Sequence, residues 1–159
     1  MDLRGPMGER RIPFSALHVP ANGRPDIETA LRPAEIIRSF FVPAGAWNRR
    51  SVYLKIRDRA SYEFAISSAA VALDMDGERV RQARIGLGGM AYRPWRSFDA
   101  EAALQGKPLN DASAEAAAAQ ALKGAKAHAH NAYKPELARR TLVRALLEAG
   151  SMTVAGAAT

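Results

Sequence analysis

The chain has 159 residues, 48% hydrophobic and 25% charged, a composition that fits one soluble globular domain, or one domain with part of another. It has no cysteine, which excludes a disulfide framework, a thiolate metal site, an iron–sulfur cluster of its own and a cysteine nucleophile. The formal charge is +7 at pH 7, but the arginines are scattered and interleaved with acids, as on a solvated surface or a face that docks on an acidic subunit. No nucleic-acid partner is expected, because no basic stripe with aromatics is visible.

No apolar run approaches the roughly 20 residues of a membrane span, and the opening MDLRGPMGERR lacks the apolar core of a signal peptide. No membrane association is expected. The expected location is the cytoplasm, with export to the periplasm only beside a partner subunit that carries the signal.

Residues 1–34 contain Pro6, Pro13, Pro20, Pro25 and Pro33 with Gly5, Gly8 and Gly23, a spacing that forbids a long helix and predicts short extended pieces joined by turns. IPFSAL reads as a short strand. Ile36 to Val42 is β-branched and aromatic and stops at Pro43, the signature of a strand. An apolar strand preceded by irregular residues with little core of their own looks like the last strand of an upstream body. Gly45 to Arg50 reads as a linker.

The chain is organised around residues 53–96. Residues 64–75 are nearly all small or apolar, which suits a strand covered on both faces. A tight turn is predicted at Asp76-Gly77, and the return run Arg79 to Ile85 reads as a half-exposed strand carrying Val80 and Ala83 among charges. Gly86, Gly88 and Gly89 lack the spacing of a dinucleotide fingerprint and lead into Tyr-Arg-Pro-Trp, so they are read as close backbone approach or a bulge. Three helices follow: Ala100 to Gln105, closed by Gly106; an alanine-rich one capped by Asn110 or Asp111 and ending near Gly124; and one with Pro135 in its first turn, Gly150 at its end and an apolar stripe of Leu137, Leu142, Ala145, Leu146 and Ala149. Strands first and helices later predict an α+β fold, a small antiparallel sheet of about three strands packed against about three helices. Residues 151–159 read as a frayed tail.

No self-sufficient active site is visible, and no catalytic residue is assigned. His128 and His130 form an H-x-H pair without a third ligand nearby, so no metal site is assigned. The sharpest polar cluster is Tyr53, Lys55 and Arg57, followed by Tyr62. On an extended backbone the first three share one side. A ring with two cations fits a planar, electron-rich, anionic ligand; the same pattern also describes an exposed strand edge guarded by charge.

SVYLKIRDRASYEFAISSAAVALDMDG, ARIGLGGMAYRPWR, ALQGKPL and HNAYKPELARR, in that order, resemble the C-terminal domain of the FAD-binding (medium) subunit of molybdenum hydroxylases, the xanthine dehydrogenase and carbon monoxide dehydrogenase flavoprotein family. They are most similar to bacterial three-subunit aldehyde oxidoreductases. Upstream, GERRIPFSALHVP and LRPAEIIRSFFVP resemble the end of that subunit's flavin-binding domain, so the resemblance runs from about Gly5 to Gly150. It implies a three-stranded antiparallel sheet with a helical bundle, and three parts: 1–43, a remnant of the FAD-binding domain and linker; 44–150, the flavoprotein C-terminal domain; 151–159, the tail. It also implies a role. In such enzymes a molybdenum centre oxidises an aldehyde or heterocycle with water, electrons cross 2Fe-2S clusters, and FAD passes them to an acceptor.

Carried over, Tyr53 and Lys55 match the family's Tyr-x-Lys near the flavin, with Arg57 and Tyr62 close by. The implied partners are the Fe-S subunit, the molybdopterin subunit and the missing FAD-binding half. Without the Gly-rich loop of that half, which cradles the FAD pyrophosphate, FAD is expected to bind only when the half is present. A smaller departure is Ala34, where relatives often carry Gly or Asp before the Glu. Two other classes of function stand beside this one: a scaffold module without flavin, and a basic nucleic-acid-binding protein.

Overall fold

A computed structural model describes residues 1–20 and 22–154, and they form two compact units that divide between Ala44 and Gly45. In the first, β1 (Asp2–Gly5) and β2 (Gly8–Arg11) form a hairpin, and β3 (Ile36–Ser39) pairs antiparallel on the other side of β1. The apolar residues buried here are Met1, Leu3 and Leu17. Polar links do much of the holding. Arg10 donates Nε and Nη2 to the two carboxylate oxygens of Glu35, each at 2.8 Å, and Arg11 donates to Asp2 at 2.5 Å. The strand expected at Ile36 to Val42 ends at Ser39; Ile36, Phe40, Phe41 and Val42 are exposed.

IPFSAL is not a strand. Phe14–Ala16 is a turn of 3-10 helix entered from Pro13, whose fixed φ suits a first-turn position. Ala34 has φ +62°, a conformation that costs an L-residue energy and that Gly or Asp adopts more readily. This gives the departure at position 34 a physical meaning: the backbone there is left-handed.

The second unit carries the main core. A turn of 3-10 helix, Ala46–Arg49, occupies the expected linker and leads directly into β4 (Arg50–Ile56). It is part of the packed body, with the Arg84 guanidinium 5.8 Å from the Trp47 ring centroid. β4 pairs with β5 (Ser67–Asp76), β5 with β6 (Arg79–Gly88), and β6 with the two-residue β7 (Trp95–Arg96), all antiparallel. The sheet thus has three full strands and a short fourth.

The β5–β6 turn is centred on Gly77 and Glu78, one residue later than expected, and only Gly77 has positive φ (+56°). Tertiary bonding sets that register: Leu109 N donates to Glu78 O at 2.9 Å and Val80 N to Lys107 O at 2.9 Å. A bulge at Arg81 then shifts the phase of β6. Val80 and Ala83, three apart, would lie on opposite faces of a regular strand; with one extra residue between them both are buried on the same face, with Ile85 and Leu87.

α1 and α3 cover that face, and α2 packs on both of them. α1 (Phe98–Leu104) is capped by Ser97 Oγ, and α2 (Asp111–Leu122) by a reciprocal Asn110–Ser113 box. Ala114, Ala117, Ala118 and Ala121 make the buried stripe of α2, so alanine here means close approach. α3 (Lys134–Ser151) buries Ala138, Thr141, Leu142, Ala145, Leu146 and Ala149. Leu137 is only half-buried, its expected place on the stripe taken by Ala138. The expected both-face cover of β5 holds only at its start, where Ser67, Ser68 and Ala69 are all buried. Further along, the face away from the helices carries exposed Ala70 and half-buried Ala72. Ser151 is still helical, Met152–Val154 are not, and the rest of the expected tail lies outside the described residues.

Candidate functional site

β4 is an edge strand. Its even residues Val52 and Leu54 pack toward the helices, so alternation turns Tyr53 and Lys55 to the uncovered face. Tyr53 is 65% exposed. Its row across the sheet is Tyr53, Ala70, Gly86, Arg96, as the three cross-strand pairings give it. A methyl group and a hydrogen are all that rise between the tyrosine and the arginine, and a Cβ added at Gly86 would meet nothing within 4 Å. The result is a low, open floor with a ring at one side.

Lys55 is less free than its sequence position suggests. Its ammonium donates to Glu63 O at 2.6 Å, while Glu63 Oε2 accepts the backbone N–H groups of Asp58 (3.1 Å) and Arg59 (2.9 Å). Lys55 and Glu63 together clasp the loop 57–66. Arg57 lies one residue past the end of β4, exposed, so the three-residue alternation holds only for Tyr53 and Lys55. Tyr62 is 94% exposed at φ +54°, a strained conformation for a bulky side chain, and its carbonyl accepts from Arg59. The four expected residues thus sit along one edge and its loop, but only Tyr53 and Lys55 share a strand face.

Sequence reasoning misses Phe64, 95% exposed on the same loop, because the apolar run 64–75 puts it inside a strand that in fact begins at Ser67. It also misses Glu63, whose clasp depends on the path of the loop and has no spacing signature. Gly89 behaves as expected for close approach: φ is +73°, and a Cβ would stand 2.7 Å from Ile66 O. On β6, Glu101 from α1 is buried and accepts the Ile85 N–H (3.0 Å) and the Arg96 guanidinium (2.9 and 3.1 Å), a structural tie. His128 and His130 are exposed, and no cluster of three metal-ligating side chains occurs among the described residues. No helix there is long and apolar enough to cross a membrane.

This is a domain that offers an aromatic and cationic edge beside a flat, open floor. The comparisons with known proteins give its family. The family described as CO dehydrogenase flavoprotein C-terminal domain matches residues 52–149, and the chain belongs to it. The aldehyde oxidoreductase FAD-binding subunit PaoB of Escherichia coli K12 is 37% identical over 140 residues, covering 88% of this chain and 41% of PaoB. The nicotine 6-hydroxylase medium subunit of Paenarthrobacter nicotinovorans is 28% identical over 131 residues, 79% of this chain and 44% of that one. A chain of the carbon monoxide dehydrogenase of Hydrogenophaga pseudoflava superposes with a TM-score of 0.80 at 28% identity, covering 93% of this chain and 51% of that one. The chain spans less than half the length of these two curated relatives.

Proposed function

We propose that this chain is the C-terminal part of the FAD subunit of a molybdenum hydroxylase of the xanthine dehydrogenase and aldehyde oxidoreductase type. Its second unit covers one side of the flavin ring and contributes subunit contacts for electron transfer from Fe-S clusters to FAD. The observation that carries this reading is the exposed Tyr53 ring beside Lys55 at the rim of the Ala70–Gly86 floor, in a chain of this family. These residues fit a planar ring: nothing on the floor rises above a methyl group, and the rim supplies an aromatic face and positive charge. FAD, when bound, supplies two-electron redox chemistry.

Tyr53 would pack against the ring, Lys55 holds the loop that carries Tyr62 through its bond to Glu63 O, and Arg57 would add positive charge at the strand end. A cation placed there favours a ring that gains negative charge on reduction. Residues 1–43 we assign to the end of the FAD-binding domain, 44–150 to the covering domain and 151–159 to its tail. The grip on the dinucleotide phosphates belongs to the part of the relatives that this chain does not cover, and the other partners are Fe-S and molybdopterin subunits working in the cytoplasm.

The test is reconstitution. The chain alone should bind FAD weakly or not at all in an equilibrium titration, whereas mixing it with a separately produced FAD-binding half and FAD should give a yellow, reducible complex. Tyr53→Ala and Lys55→Met should each shift the flavin absorption band or its reduction potential. A mixture that stays colourless, or tight stoichiometric FAD binding by the chain alone, would sink the assignment.

A further inference from the structure

The surplus positive charge of the chain falls mostly after Gly45, and the fold gathers part of it at the edge of the sheet away from Tyr53. Three shallow clefts adjoin there, and Trp95 on β7 lines all three. One brings Arg96 of the sheet edge and Phe98 at the start of α1 to Lys123 at the end of α2. Another holds Tyr92 and Arg93, and the third brings Lys126 and Lys134 to Gly89 and Met90. Five cations from three stretches of the chain, 93–96, 123–126 and 134, therefore line the clefts that share one indole, and the carboxylate that joins them there is Asp99.

Their commitments differ. Arg96 is held by Glu101, and Lys134 Nζ donates to Gly89 O at 2.8 Å. Arg93, Lys123 and Lys126 form no ion pair among the described residues; Arg93 lies only beside the Tyr92 ring, at 5.7 Å. Tyr92 and Phe98, which line the same clefts, are exposed. Tryptophan, tyrosine and arginine are the residues in which binding energy concentrates at protein–protein interfaces. Unpaired cations around such a hub draw in a partner of opposite charge and fix its register.

We propose that the Trp95 edge is a docking surface for an acidic face of a partner protein. A protein partner fits better than a nucleic acid. The Trp95 ring is half-buried against the core, and Gly124 lies so close that a Cβ there would touch it at 3.9 Å, which leaves the ring seated in the surface and not raised as a platform for a base. The edge adjoins the far end of the flavin-covering floor at Arg96, but Arg93, Lys123 and Lys126 lie off that row, and β5 and β6 separate Trp95 from β4. The inference draws on the proposed function only for the expectation that a partner subunit exists.

The test needs no flavin. A labelled poly-glutamate peptide is titrated into the full chain and followed by fluorescence anisotropy, with oligothymidylate of matched charge run in parallel. The wild-type chain should bind the peptide with an affinity that falls as salt rises. Arg93→Glu, Lys123→Glu and Lys126→Glu together should weaken binding by about tenfold or more, while Arg57→Glu with Arg59→Glu should leave it within about twofold. Circular dichroism checks the fold, and if the triple variant does not fold, Arg93→Glu and Lys126→Glu singly should each weaken binding by about threefold. The proposal is overturned if the peptide does not bind, if both sets of reversals weaken binding equally, or if the oligonucleotide binds more tightly through the same three residues.

Discussion

The two compact units are held by different forces. From Gly45 onward, seventeen buried apolar residues form one core between a sheet face and three helices. In residues 1–44 the buried apolar residues are Met1, Leu3 and Leu17, and ion pairs close the structure: Arg10–Glu35, Arg11–Asp2 and Arg38–Glu9. A unit with so little buried area is marginal by itself; the open pairs Arg11–Asp2 and Arg38–Glu9 add little, so Arg10–Glu35, whose carboxylate is largely covered, carries more of the stability. The contrast teaches where each unit is vulnerable: the larger to cavities, the smaller to acid and to its own backbone strain.

The sharpest break of the larger unit is Leu142→Ala. Leu142 is fully buried between α3 and the sheet, and the substitution should cost about 3 kcal/mol in urea unfolding followed by helical circular dichroism. The matching change in the smaller unit, Phe41→Ala at a 77% exposed side chain, should move stability by no more than about 0.5 kcal/mol. Comparable losses from the two would refute the contrast. Next is Glu101→Ala, which leaves the buried Ile85 N–H without an acceptor and frees Arg96. We expect a loss of about 2 kcal/mol, mostly from the orphaned N–H, because the Arg96 side chain is near enough to the surface to find water. Glu101→Gln, which keeps an acceptor, should recover part of it.

How much of this was legible in the sequence follows the same division. The helices of the larger unit announce themselves through Asn110, Pro135 and Gly150, and the hairpin through Gly77, because caps and turns are local chemistry. The Arg81 bulge is not local: a run of Val80, Arg81, Gln82, Ala83 gives no hint that a residue will be set aside until Leu109 and Lys107 claim the turn carbonyl and the Val80 amide. β1 and β2 were legible only as extended pieces, since DLRG and GERR have no apolar alternation and exist as strands by pairing with each other. At the candidate site, alternation along β4 was enough to put Tyr53 on an open face. The attachment of Lys55 to Glu63 depends on a loop path that no spacing encodes. Charge gave the least: cations spread along the sequence collect around Trp95 only once β7, α2 and α3 are folded together.

Acid should separate the units. The Arg10 guanidinium, helped by the Arg32 N–H, holds the Glu35 carboxyl down at about 2 from an ordinary 4.5. A carboxylate with a depressed folded pKa contributes stability that is fully present above its unfolded value and is lost as pH falls toward the folded one, here between about 4.5 and 2. Asp2, lowered to about 2 chiefly by Arg11 and Ser39, loses its contribution over the same descent from 3.8. Glu136 in α3 is likewise lowered to about 2, first by Arg139 and then by Arg140, so acid alone is an imperfect discriminator. Glu35→Gln makes it a clean one. Amide exchange in β1 and β2 should rise on acidification in the wild type, and in the variant it should already be raised at pH 7 and change less.

The smallest expected effect runs in the opposite direction. Ala34 sits at φ +62° in the turn that brings Glu35 back onto Arg10, with Glu35 N donating to Arg32 O at 3.0 Å. Glycine at this position removes the clash that an L-residue suffers in the left-handed region, a relief of about 1 kcal/mol, and loses part of it to the greater freedom of glycine in the unfolded chain. Ala34→Gly should therefore stabilise the smaller unit by about 0.5 kcal/mol, read as slower amide exchange in β1 to β3 with α3 unchanged. The change removes a methyl group from an exposed position and adds no contact, so a gain there isolates backbone strain from side-chain packing. Unchanged or faster exchange would mean that the turn gives no energy back and that position 34 is not a source of strain in residues 1–44.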